Sequence, residues 1–168
     1  GSPISILMPL STNFGPHDGS LIIERYIDNI VDFPGVFVTV PVGNEGISDT
    51  HTEGVIQEQG GTQDIEIEIG EGDNNMIFEI WFQRPDRVAI GLTSPSGEVV
   101  ERLPIRTGIP QEATLLYERT TVSVLYEVPD PTTGDEHISV TLRNVVPGNW
   151  KFTLYGEVIL NGRYNAWL

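Results

Sequence analysis

The sequence predicts a mainly β protein: a jelly-roll-like, two-sheet β-sandwich preceded by a short strand–helix–strand piece. Three observations carry this. From about residue 62 onward apolar and polar residues alternate with the period of two that half-buried strands require, as in Ile65, Ile67 and Ile69 interleaved with Asp64, Glu66 and Glu68. Turn signals interrupt that pattern at short intervals, with no helical stretch between them. Before residue 46 the pattern differs, reading first as a buried strand, then as a helix, then as a second buried strand.

Taking the elements in order, Ile4, Ile6, Leu7 and Met8 form a short apolar run broken by Gly15-Pro16-His17-Asp18-Gly19. Between Ser20 and Phe33, Leu21, Ile22, Ile23, Tyr26, Ile27, Ile30 and Val31 recur at helical spacing, with Asp18 or Ser20 as expected N-caps and Pro34-Gly35 as the stop. Val36-Phe37-Val38-Thr39-Val40 is a continuous β-branched and aromatic run suited to a parallel strand covered on both faces. These three make one βαβ crossover. In the second region short strands are expected from residue 62 and then at 76–83, 86–93, 98–103, 113–118, 121–128, 137–143, 149–156 and 157–164. Gly70 to Asn75, Pro85-Asp86, Ser94 to Gly97, Pro129 to Pro131, Thr133 to Asp135 and Pro147 to Asn149 mark the turns between them. Eight or nine such strands in about 100 residues fit two packed sheets.

Composition excludes several function classes. With 24 acidic and 9 basic residues, the net charge of −15 repels a phosphate backbone, so neither nucleic acid nor an anionic membrane surface is an expected partner. No apolar run approaches the roughly 20 residues that span a bilayer. The absence of cysteine removes disulfides, thiolate metal sites and a thiol nucleophile. Gly1-Ser2-Pro3 without a starting methionine, and an apolar end at Trp167-Leu168, read as a piece excised from a longer protein.

The junction between the two regions carries Gly43-Asn44-Glu45-Gly46 directly after the strand Val36–Val40, and upstream lies Leu10-Ser11-Thr12-Asn13-Phe14-Gly15-Pro16-His17-Asp18-Gly19. This arrangement resembles the subtilisin-like serine proteases of the clostridial germination-protease type, in which G-N-E-G follows a central strand and a jelly-roll domain is inserted after the asparagine. The resemblance implies a partial subtilase α/β domain over 1–58, a jelly-roll insert over 59–160 and a return to the protease body over 161–168. It implies that Asn44 donates a hydrogen bond to the oxyanion of the tetrahedral intermediate, and that the segment containing Leu10 and Ser11 pairs with an extended peptide substrate. No cofactor is implied. The expected partners are the remainder of the parent protease domain and, in the parent, a peptide or protein substrate; the expected setting is bacterial, secreted or spore-associated.

The family's serine, histidine and aspartate sit in G-T-S-M, H-G-T-H and D-[ST]-G, and none of these strings occurs here. The chain by itself is therefore expected to be inactive. Two departures bear on the parent. The usual Ser-Leu-Gly of the substrate strand reads Pro9-Leu10-Ser11, which removes a backbone N–H and a flexible glycine, and the usual Ala-Ala before the asparagine reads Pro41-Val42. Both crowd the cleft, leaving open whether the parent is an active enzyme or a pseudoprotease.

Other residues receive plainer readings. His17-Asp18 lies in a glycine-flanked turn, where sequence neighbours do not face each other, so a helix-capping Asp18 is expected rather than a catalytic pair. His51, close behind the asparagine segment, has two readings, a place near the cleft of the complete enzyme or a solvated loop, and the solvated loop is the expectation. Asp64, Glu66 and Glu68 are the solvated face of a strand rather than a calcium site, and no metal is expected. Trp150 in Pro147-Gly148-Asn149-Trp150 is expected as a core aromatic where a strand begins. The alternative function, a jelly-roll module binding carbohydrate or protein, would call for a row of exposed aromatics; Trp81, Trp150 and Trp167 show no such spacing.

Overall fold

The computed structural model describes residues 2–44 and 48–168. The chain opens with β1 (Ile4–Leu7), α1 (Ile22–Val31) and β2 (Val36–Thr39). The two strands pair in parallel, from Ile4 against Val36 to Leu7 against Thr39, and α1 lies against β2. The expected helix cap differs in detail. Asp18 accepts the N–H of Ser20 at 2.9 Å, closing a turn ahead of the helix, while Glu24 in the first turn reaches back to the N–H of Leu21 at 3.0 Å. A carboxylate at this position satisfies one of the donors that a helix start leaves over, so neither Asp18 nor Ser20 is needed as the cap. The stop is as expected: Gly35, at φ 87°, takes the left-handed conformation that glycine accepts without strain.

Ten strands follow: β3 (His51–Val55), β4 (Thr62–Ile69), β5 (Asn75–Phe82), β6 (Arg87–Thr93), β7 (Val99–Leu103), β8 (Gln111–Thr114), β9 (Thr121–Glu127), β10 (Glu136–Arg143), β11 (Gly148–Val158) and β12 (Arg163–Trp167). Six form one sheet in the order β3-β12-β5-β10-β9-β8 and four form the other in the order β4-β11-β6-β7, with antiparallel pairing throughout. The period-two pattern then decides the core. Phe78, Ile80 and Phe82 of β5 and Ile138, Val140 and Leu142 of β10 face Ile65, Ile67 and Ile69 of β4 and Trp150, Phe152 and Leu154 of β11 in one cluster. Each such side chain contributes about 1.5–3 kcal/mol on burial. Trp150 is fully buried and its Nε1 donates to the carbonyl of Val146 at 3.0 Å, so it is the core aromatic expected. Asp64, Glu66 and Glu68 are exposed, as expected of a solvated strand face.

Three strands depart from the sequence expectation. The strand expected at 113–118 ends at Thr114, because Glu98 accepts the N–H groups of Leu116 and Tyr117 at 2.8 and 2.7 Å and the N–H of Leu115 bonds Thr120, turning the chain. The strand expected at 157–164 is displaced to Arg163–Trp167. Asp86 collects the N–H groups of Leu160, Asn161 and Gly162 at 2.6, 3.2 and 2.5 Å, and a carboxylate gathering three consecutive donors replaces the ladder with a loop. β3 was not expected at all. It and β12 extend the sandwich sheet on both sides of 59–160: β12 pairs with β3 on one edge and β5 on the other, and buries Tyr164 and Ala166 in the core.

The βαβ piece is covered far less. No residue of α1 is buried, and Ile4, Leu7, Ile22, Tyr26, Phe33 and Phe37 are exposed. The helix and the Leu21 that precedes it present half-buried Leu21, Ile27 and Ile30 on one side and exposed Ile22, Ile23, Tyr26 and Val31 on the others. A two-stranded parallel sheet has little to bury itself with, since parallel sheets are ordinarily covered on both faces.

Candidate functional site

The parallel pairing of β1 and β2 makes the segments after their C-terminal ends neighbours. The N–H of Met8 bonds the carbonyl of Thr39 at 3.0 Å, carrying the register one residue past the strands. Leu10 and Ser11 on one side and Pro41, Val42, Gly43 and Asn44 on the other then line a single open groove of about 580 Å³. Ligand sites in parallel sheets lie outside the carboxyl ends of the strands, and this groove has that position. Asn44 is exposed; its carboxamide carries two N–H donors and an acceptor. Glu45 and Gly46, which complete the sequence motif, lie outside the described residues.

The far wall comes from the sandwich. His51 begins β3 and Trp167 ends β12, and the two are paired across the strands. The indole of Trp167 is held between two imidazoles: His17 at a centroid distance of 3.9 Å and 20° between planes, and His51 at 3.8 Å and 21°. All three residues line the groove. His51 also reaches Asn165 Oδ1 through a ring nitrogen at 3.0 Å. His51 is exposed, as expected, but it does not lie in a loop: pairing with β12 puts it on a strand beside the groove, and its ring stacks on Trp167. His17 and Asp18 form no catalytic pair, in line with the sequence reading; the His17 ring contacts the carbonyl of Asn13 at 3.2 Å and the Trp167 face.

Residues 13–17 dock the βαβ piece on the outer face of the six-stranded sheet. Asn13 Nδ2 donates to the carbonyl of Leu168 at 3.1 Å, the Gly15 N–H donates to Glu79 Oε2 at 2.9 Å, and Gly15 and Pro16 are buried. Gly15 adopts φ 107°, and a Cβ there would run into Leu21, so glycine is required by both backbone and space. Behind Glu79 lies a buried polar cluster. His137 of β10 stacks on Trp81 of β5 at 4.1 Å and 7°. Its Nδ1 bonds Glu127 Oε2 of β9 at 3.0 Å, and its Nε2 stands 3.5 Å from Glu79 Oε1. That second contact is an ion pair longer than an ordinary hydrogen bond, and among the described residues the buried Nε2 has no hydrogen-bond partner.

Burial by itself would lower the His137 pKa, but the contacts with Glu79 and Glu127 outweigh it and raise it. Burial would likewise raise the Glu79 carboxyl, yet His137, the Gly15 N–H and Trp81 together hold it below its ordinary value. Glu127, Asp130 and His137 bring donor atoms within 4.8 Å of one another. Asp130 Oδ1 accepts the N–H groups of Thr132 and Thr133 and the Thr133 hydroxyl, which fixes the turn after β9 beside this group.

A second hollow of about 560 Å³ lies on the other side of Pro16, lined by Asp18, Glu53, Trp81, Asp135 and Arg163 among others. It contains none of Leu10, Ser11 or Asn44. No tryptophan offers a saccharide platform on the sandwich surface, since Trp81 and Trp150 are buried and Trp167 is covered on both faces by imidazoles.

No protein-family model matches this sequence, and no curated protein matches it. In three dimensions the chain is similar to the Clostridium perfringens CspB protease, with a TM-score of 0.85 and 23% sequence identity. The match covers 99% of this chain and 35% of that one, so the chain spans about a third of that protease's length. What is shared is the fold: a sandwich of antiparallel sheets joined to a strand–helix–strand piece, in an arrangement that also occurs within a clostridial protease.

Proposed function

We propose that this chain is part of a subtilisin-like serine endopeptidase, in which it supplies the oxyanion donor and one edge of the substrate cleft. The observation that carries the reading is the meeting of Leu10, Ser11 and Asn44 in one groove at the carboxyl ends of two parallel strands. In the complete enzyme the Asn44 carboxamide would donate to the oxyanion that develops as a serine attacks the scissile carbonyl. The segment holding Leu10 and Ser11 would pair with the extended substrate, with Pro9 limiting the number of backbone donors it can offer. The sandwich braces this assembly through the Asn13, Gly15 and His17 contacts.

The remainder of the protease domain is the partner that the exposed apolar residues of β1, α1 and β2 call for. It would bring the triad serine, histidine and aspartate, whose family motifs this sequence does not contain, so the chain alone is inactive. The test is Asn44→Ala in the whole protease. Loss of one such donor costs roughly 100- to 1,000-fold in kcat, the value established for the corresponding asparagine of subtilisin, with KM little changed. An unchanged kcat would remove Asn44 from the oxyanion site, and a whole protein with no triad would remove the proteolytic reading.

A further inference from the structure

We propose that His137 is a proton-operated latch: its imidazolium, wedged between Glu79 and Glu127, keeps the Glu79 carboxylate in place to hold the Gly15 N–H, and with it the 13–17 segment that walls the groove. The latch is independent of the proteolytic reading, because it concerns how the βαβ piece is fastened to the sandwich.

The geometry supplies the mechanism. A carboxylate only accepts hydrogen bonds, so Nδ1, at 3.0 Å from Glu127, carries its proton in either state of the ring. The proton that comes and goes is therefore the one on Nε2, which faces Glu79 Oε1 at 3.5 Å. When it is present, opposite charges meet. When it leaves, the Nε2 lone pair faces a carboxylate oxygen, and the contact changes from attraction to repulsion. The ring cannot turn away easily: Trp81 covers one face at 4.1 Å, Glu127 holds Nδ1, and the side chain is only 10% exposed. The responding group is Glu79, whose other oxygen accepts from Gly15 N at 2.9 Å and, more weakly, from Trp81 Nε1 at 3.4 Å.

The charged groups facing the ring come from each neighbouring element: Glu79 from β5, Glu127 from β9 and Asp130 from the turn after β9. All three are acidic and favour the imidazolium. The docked segment contributes the Gly15 N–H, which donates to Glu79 Oε2, and Asp18 raises the Asp135 carboxyl. The latch is therefore closed below the raised His137 pKa and loosens as the pH climbs through it.

The experiment is an NMR titration of the isotopically labelled chain from pH 5.5 to 9, following the His137 ring carbons together with the exchange protection of the Gly15 amide. Protection relative to an unstructured amide is expected to fall roughly tenfold with the same midpoint as the His137 ring, the change expected when a charge-assisted contact is lost. In His137→Gln the amide should stay at the low-protection level throughout, with no step. Protection that is flat across the His137 titration, or a step that persists in His137→Gln, would overturn the proposal. Should the variant not fold, coincidence of the two midpoints in the unaltered chain still decides it.

Discussion

Glu136 offers the sharpest test of the energetics. It faces the core from β10, fully buried, with both carboxyl oxygens 3.1 Å from the N–H of Val88 on the opposite sheet. Burial pushes its pKa from 4.5 up to about 8; the Val88 N–H and the charge of Arg87 pull the other way without prevailing, and Asp86 and Glu157 add to the rise. The sign is the reverse of the usual carboxylate case. Between 4.5 and about 8 the folded protein binds more protons than the unfolded chain, so this residue makes stability fall as the pH rises.

Integrating over the interval from pH 5.5 to 8.5 gives a loss of about 3 kcal/mol attributable to Glu136 alone. Glu136→Gln keeps an oxygen acceptor for Val88 and cannot ionise. Urea unfolding followed by tryptophan fluorescence, at the two pH values, should show the unaltered chain losing about 3 kcal/mol more than the variant across the interval. The His137 contribution also declines with rising pH, because a raised imidazole pKa stabilises below 6.5 and is lost through its folded value, but it is common to both proteins and cancels. Equal pH slopes in the two proteins would refute the reasoning.

Two further outcomes follow from the loop that displaces the last strand. Asp86→Ala leaves the N–H groups of Leu160, Asn161 and Gly162 without their acceptor, and should cost about 3 kcal/mol in the same urea assay while loosening β12 in hydrogen exchange. Gly162→Ala forces a side chain onto a residue at φ 71° whose Cβ would collide with the carbonyl oxygen of Ile56. It should therefore cost more than the 0.4–1 kcal/mol or so by which Gly→Ala stabilises a compatible site, with the opposite sign, read as a lowered Tm.

Much of the fold is legible in the sequence because its causes are local. Alternation in 62–69 buries Ile65, Ile67 and Ile69 and exposes Asp64, Glu66 and Glu68 whatever the partner strand is, and the same holds for β5, β9, β10 and β11. The helix and its glycine stop are likewise local. β3 was invisible for the same reason in reverse. His51-Thr52-Glu53-Gly54-Val55 is an edge strand with no buried residue and so no alternation to read; it is a strand because β12 pairs with it. The end of β8 and the shift of β12 were decided by Glu98 and Asp86, whose carboxylates capture backbone donors 18 to 76 residues away in sequence.

The groove divides in the same way. That Leu10, Ser11 and Asn44 belong together is what the family resemblance of their segments implies, and the parallel pairing of β1 with β2 brings the segments that follow them side by side. The position of His51 close behind the asparagine segment allows a place near the cleft, but its stacking on Trp167 in the opposite wall depends on strands from the two ends of the sandwich pairing at one sheet edge. The His17–Trp167–His51 stack and the Glu79–His137–Glu127 cluster exist only once that sheet is built. Short-range periodicity determined which residues face inward; the long-range register alone decided which side chains meet.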